Sequence, residues 1–328
     1  MNEIKTVKFH MLSRALAPIT HMMGSEGNES VINRTNVYHD GHVHAVPVLS
    51  GNAIRHKMVR EPGAMLIVNA CGLYGKLNID QANYLFYGGS LTESSVSDNL
   101  QRIAEMQELM PLVRLLGGSL KNQIVSGSLS VSMGILVCRE NRGTLELCLP
   151  DELLAGLPEL RSCEDFVSGW QYTRSDARKK PELLDMENAA EAAEDKSNLM
   201  IYNGQHVIPG AMFYHDFILH NVSRLEVGAL WACLKDWEAS GGVIGGSSRI
   251  GHGRLKTEAY VGGENVFGDE IDLDAYEAEY REHTANNADK IKEWLDVMFG
   301  TPIRGQKKSK KSTQAEVLEV ANVDIDAE

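Results

Sequence analysis

Cysteine is scarce and unpatterned in this chain. Five residues, Cys71, Cys138, Cys148, Cys163 and Cys233, are scattered over 328 positions, and none pairs at C-x-x-C spacing. A zinc site built on cysteine is therefore not expected, nor a disulfide framework, and a reducing cytoplasmic setting fits. No run of about 18 apolar residues occurs, so neither a bilayer-spanning helix nor a membrane partner is expected. Met1 to Arg14 lacks the charged-then-apolar layout of a signal peptide. Catalytic signatures are missing too. There is no Gly-x-Ser-x-Gly elbow, no Gly-Lys-Ser/Thr closing a phosphate loop, and nothing that marks a low-pKa cysteine. The expectation is a binding protein, with no catalytic residue, metal or cofactor.

What is present is acid, unevenly placed. The formal net charge is −13. Glu182 to Asp195 holds six acids, Glu258 to Asp289 ten and Glu316 to Glu328 five, with Arg281 the only Lys or Arg in these stretches. Without those 21 acids and one base the body keeps 24 acids against 31 bases, a positive field able to steer a polyanion.

The pattern along the chain reads strand, helix, strand pair, helix, strand. Ile4 to Ile19 gives the first strand and its exit, and Met23 to Asp40 a Gly/Asn/Ser-rich loop. A helix starts at Ser50-Gly51-Asn52. Asp80 to Leu116 reads helical with a break at Pro111. Ile124 to Cys138 and Thr144 to Leu149 read as β, joined across Asn141-Arg142-Gly143. His206 to Leu219 is β. Ser223 with Glu226 forms a capping box for a helix that stops at Gly241-Gly242, and Val243 to Val261 is a turn feeding a strand. This is the order of an α+β, ferredoxin-like (RRM-like) sheet. The expected division is a core over 1–261, with a helical insertion at 77–117 and a thumb-like arm at 151–198. An acidic helical segment over 262–300 and a disordered tail over 301–328 follow. The Lys/Arg-Gly-aromatic run that marks stacking strands in RNA-recognition domains is absent.

Three segments carry binding chemistry. The first is Gly245-Gly246-Ser247-Ser248-Arg249-Ile250-Gly251-His252-Gly253-Arg254. Its glycines permit positive φ, and Arg249 and Arg254 add planar donors suited to phosphate. The second runs from Val46 to Arg60, where Ser50 and Asn52 open a helix beside Arg55, His56 and Arg60. The third is the arm, where Trp170 and Tyr172 precede Arg174, Arg178, Lys179 and Lys180; bases with aromatics suit a single strand.

These segments, taken in order with Ile208-Pro209-Gly210-Ala211-Met212-Phe213 and Thr173 to Asp176, resemble the RAMP superfamily of CRISPR effector proteins. The match is to its Cas-seven-type backbone subunit, of the type IV variety, with type I next. The resemblance covers about 4–261, and it rests on the ordered set of motifs and not on any one of them. It implies copies stacked head to tail along a guide RNA (crRNA), other effector subunits as partners, and target DNA or RNA met through guide pairing. It also implies Ser50, Asn52, Arg55 and His56 on the RNA backbone, the glycine loop beneath it, and 170–180 as thumb. Some relatives in type III complexes cut with an Asp after the first strand. The matching place here is near Arg34, in Ile32-Asn33-Arg34-Thr35-Asn36, without a carboxylate, so cleavage is not expected and Arg34 is read as an RNA contact. The competing readings are a nuclease of the same superfamily and a purely structural assembly protein. His39, His42 and His44 could form a metal site, but a polar hairpin near RNA is the preferred reading.

Overall fold

The computed structural model describes residues 6–26, 29–91, 100–120, 123–174, 200–262 and 271–300, with positions 183, 185, 186 and 188. Strand β1 (Thr6–Ala15) lies inside the main sheet, which is ordered β13-β1-β12-β9-β5-β4 with β8 also on β12. The partners are β4 (Arg34–His39), β5 (His42–Leu49), β8 (Leu129–Val131), β9 (Gly134–Leu136), β12 (Met212–His220) and β13 (Leu255–Gly262). Every pairing in this sheet is antiparallel.

Alternation in β1 sets the two faces. Val7, Phe9 and Met11 stand opposite Leu219, Phe217 and His215 and belong to the large core under the helices. Two helical stretches cover that face: a continuous helix over 51–70 and the helix Arg224–Ala239. Ser223 and Glu226 form the expected capping box, and the helix ends before Gly241-Gly242. The helices Leu273–Asn286 and Ala288–Phe299 pack outside it. Lys235 bridges to Glu277 at 2.6 Å and Arg281 to Asp236 at 2.7 Å. Acid in this segment therefore partly serves to dock it.

A smaller sheet is ordered β10-β11-β3-β2, from β10 (Val167–Arg174), β11 (Met200–Val207), β3 (Glu29–Ile32) and β2 (Met22–Glu26). Its strands β2 and β3, with β4 of the main sheet, show that the 23–40 region expected to be a loop carries strands. The polar composition misled because these strands lie where polar side chains are tolerated, and their ladder bonds come from each other, for β2 and β3, and from β5 and β11. Asp40 and Gly41 both take positive φ, 49° and 81°, the form a two-residue hairpin turn requires.

The second correction concerns Thr144 to Leu149, which is helical (Arg142–Cys148). Leucine at every second position suggested a strand. Instead Leu145 (0% exposed) and Leu149 (6%) pack against Leu12, Tyr214 and Val137, while Leu147 stands at 89%. The buried spacing is four, not two, because this segment lies flat across the sheet's second face. The helical insertion comprises Ile79–Tyr87, Leu100–Leu109 and Pro111–Leu116, with Pro111 opening the last piece. The acidic stretch Ala189 to Asp195 and the tail 301–328 lie outside the described residues.

Candidate nucleic-acid interface

The glycine loop is built onto a short strap, 18–21, that leaves β1. Gly253 N–H donates to the Pro18 carbonyl at 2.8 Å and Gly246 N–H to the Thr20 carbonyl at 2.7 Å. Ile244 N–H donates to the Gly253 carbonyl at 2.8 Å, closing the loop's neck. Gly245 and Gly253 have φ of 79° and 87°. A methyl on Gly245 would come 2.7 Å from the Thr20 oxygen, and one on Gly253 would run into the Ile244 carbonyl. The glycines thus serve close backbone approach to the strap, which takes two of the N–H groups assigned from sequence to phosphate. Ser247 also has positive φ, 58°, and Gly251 92°. What the loop leaves to solvent is Gly246, Ser248, Arg249, Ile250, Gly251 and Arg254.

The same strap reaches the helix start. Ser50 N–H donates to His21 Nε2 at 3.1 Å, while Ser50 Oγ accepts from Ala53 N–H at 3.2 Å. Asn33 N–H donates to the His21 carbonyl at 2.7 Å, and Ile19 exchanges bonds of 2.8 and 2.9 Å with Val207 of β11. The first two binding segments, some two hundred residues apart in sequence, are therefore fastened to one four-residue strap, the glycine loop by its carbonyls and the helix start by the His21 ring. Asn52 is exposed beside Ser50.

The arm arrives as the hairpin β10–β11. Its register puts Trp170 opposite Gly204, Tyr172 opposite Tyr202 and Ser168 opposite His206, all on one face. Trp170 and Tyr172 stack with centroids 5.2 Å apart, and Tyr172 and Tyr202 at 5.0 Å. Gly204 makes room for the indole, since a methyl there would lie 2.5 Å from it. Trp170 and His206 in turn lie 6.4 and 6.0 Å from His252 of the glycine loop. His252 Nδ1 is 2.6 Å from Thr20 Oγ1. The indole N–H of Trp170 and Nδ1 of His206 are buried and form no hydrogen bond among the described residues. Burial lowers the pKa of His21, His206 and His252, and His206 is lowered further by His252, so the three imidazoles favour the neutral form.

Other residues singled out from sequence lie elsewhere. Arg60 is 7% exposed and donates to the Gly117 carbonyl at 3.1 Å; Arg55 donates to the Leu116 carbonyl. Both cap the C-terminal end of the helix Pro111–Leu116, brought there by a π-helical stretch over Arg55–Arg60. Burial, then the neighbouring Arg55 charge, lowers the Arg60 pKa to about 10. Arg55 and Arg60, read from sequence as phosphate contacts, thus each already hold a backbone carbonyl inside the fold. Arg34 is likewise engaged, at 2.7 Å to both the Ala45 carbonyl and Glu164. His56 stacks on Tyr87 at 5.9 Å. Arg249 and Arg254 form no ion pair or side-chain hydrogen bond among the described residues. Arg174 ends β10, and Arg178, Lys179 and Lys180 lie outside the described residues. His39, His42 and His44 share one face of the β4–β5 hairpin, with rings 6.2 and 6.5 Å apart.

Sequence reasoning missed Thr20, His21, Tyr202 and His206. No local pattern marks them; only strand register and the path of the strap bring them here.

The fold is thus an α+β scaffold of mainly antiparallel sheets presenting two turns and an aromatic hairpin together. No family model matches the sequence, and no curated protein matches it. Among solved structures, the chain is similar to a chain of one titled "Type IV-B CRISPR Complex". The TM-score is 0.56 at 18% identity, over 81% of this chain and 96% of that one. The likeness is one of fold.

Proposed function

We propose that this protein is a CRISPR effector subunit of the RAMP, Cas-seven type that binds guide RNA as a backbone protein. On this reading, copies polymerise head to tail along the crRNA beside other effector subunits. They present the guide for pairing with target DNA or RNA, and the protein contributes no catalytic group. The observation that carries the reading is the shared strap: it holds the glycine loop, whose Arg249 and Arg254 are unengaged among the described residues, against the Ser50 helix start and next to the aromatic hairpin face. Donors for phosphate and rings for bases are what a single strand requires of a sequence-indifferent binder. The fold likeness to a chain of a type IV-B CRISPR complex supports the same reading. So does the strand order β13-β1-β12-β9, which matches the 4-1-3-2 arrangement of a ferredoxin-like sheet.

The test is a titration of labelled single-stranded RNA against salt, with the ultraviolet absorbance ratio of the purified protein recorded first. Co-purified RNA of narrow length and an affinity that falls steeply with salt are expected. Clean protein without salt-dependent RNA binding would overturn the proposal.

A further inference from the structure

We infer that His21 positions the RNA-binding turns and makes RNA affinity pH-dependent, through the bond its neutral Nε2 accepts from the Ser50 amide. The inference rests on the RNA-binding reading above and adds to it a regulatory group. Three observations carry it. First, an amide can only donate, so the 3.1 Å contact from Ser50 N–H fixes Nε2 as an acceptor and places the His21 proton on Nδ1. Second, His21 belongs to the strap that takes the Gly246, Gly253 and Asn33 amides, so tilting it disturbs both turns together. Third, the described residues that line the space beside it offer no compensating charge. The space beside it is lined by Ile19, Ile32, Asn33, Pro47, Val48, Leu49, Val207 and Phe213, none of them charged.

Protonation of Nε2 would set N–H against N–H among uncharged neighbours, and the Ser50 amide would lose its acceptor. Neutral His21 is therefore the competent form, consistent with the lowering of its pKa by burial. Falling pH should release the helix start from the strap. The other imidazoles nearby act the opposite way. His206 and His252 are partly exposed, and a proton on either adds positive charge beside a bound strand. A variant that removes only the His21 titration separates the two effects.

His21→Gln supplies that variant, because its amide oxygen reaches roughly the position of Nε2, accepts the same bond and does not titrate. His21→Ala removes the acceptor. A fluorescein-labelled oligouridylate is titrated with the wild type and both variants between pH about 7.5 and about 5.5 at fixed salt, with thermal melting recorded alongside. At the upper pH, H21Q should bind within about two-fold of the wild type and H21A at least about five-fold more weakly, the latter matching a net loss near 1 kcal/mol for one hydrogen bond. On acidification the wild type should lose affinity relative to H21Q. Equal pH slopes for the wild type and H21Q, or an H21A that binds as the wild type does, overturn the role of His21 while leaving RNA binding in place. A wild type that binds no RNA at any pH overturns both readings.

Discussion

At the scale of single residues, the sequence offered many cationic candidates and the structure divides them by what they already hold. An Arg is legible from sequence as a donor, but whether its donors are spent is decided by partners distant in the chain. Arg60 reaches Gly117 and Arg34 reaches Glu164. Arg249 and Arg254 reach nothing among the described residues. Arg60→Ala should leave the Gly117 carbonyl buried without a donor and cost about 1–3 kcal/mol of stability, read as a lower melting temperature. Arg249→Ala should leave the melting temperature unchanged, as surface substitutions usually do within about 0.5 kcal/mol. It should instead reduce the salt slope of RNA binding by about 0.7, one phosphate contact on a single strand. If the two variants exchange phenotypes, the division drawn from their hydrogen bonds is wrong. The glycines are a parallel case: their need was legible, but its reason is proximity to the strap and not openness to phosphate.

At the scale of elements, the helices that carry caps were legible. Ser223 with Glu226, and the Ser50 start, appear where their side chains dictate. Strands were less so. The 23–40 strands were hidden because they are short and polar and their apolar alternation is weak, and only β3 reaches a distant partner, β11. Leu145, Leu147, Leu149 mimicked a strand because a period of two and a spacing of four share positions. The aromatic face of β10–β11 was half legible: Trp170 and Tyr172 stood out, and Tyr202 joins them only through register. Replacing Tyr172 and Tyr202 together by Ala should weaken RNA binding by about 1–3 kcal/mol per stacked base lost, with little sequence dependence. Unchanged affinity in a folded double variant would remove the hairpin from the interface. A different element test concerns the docked acidic helices. Gly228 faces the backbone of Tyr276 so closely that a methyl has no space. Gly228→Ala should therefore detach the Leu273–Asn286 helix, despite the better helix propensity of alanine, and raise protease sensitivity there. A variant as resistant as the wild type would show that the contact relaxes without cost.

At the scale of the whole molecule, the titratable groups buried in the core predict a stability that depends on pH from both sides. His215 is fully buried with its pKa lowered to about 4, and burial lowers His10 and His21 as well. A histidine depressed in the folded state binds its proton first in the unfolded chain. Its contribution is fully present above the unfolded value near 6.5 and is lost as pH falls toward the folded value. For His215 that span amounts to something on the order of 3 kcal/mol. Buried cysteines act in the opposite sense: Cys71 and Cys163 are raised to about 11 and Cys138 to about 12. Their contribution is present below the ordinary thiol value and is lost as pH rises through the folded ones. The chain should thus be most stable between roughly pH 6.5 and pH 8.5, with melting temperature declining on either side. His215→Gln flattens the acid limb only if His215 carries it, because the substitution removes the proton uptake and leaves an uncharged polar group in its place. Melting curves for both proteins across pH about 4 to about 8 decide the matter. An acid limb of equal steepness in the variant would assign the loss to other groups, among them Glu140 and Glu277, whose lowered pKa values place their own losses further toward acid.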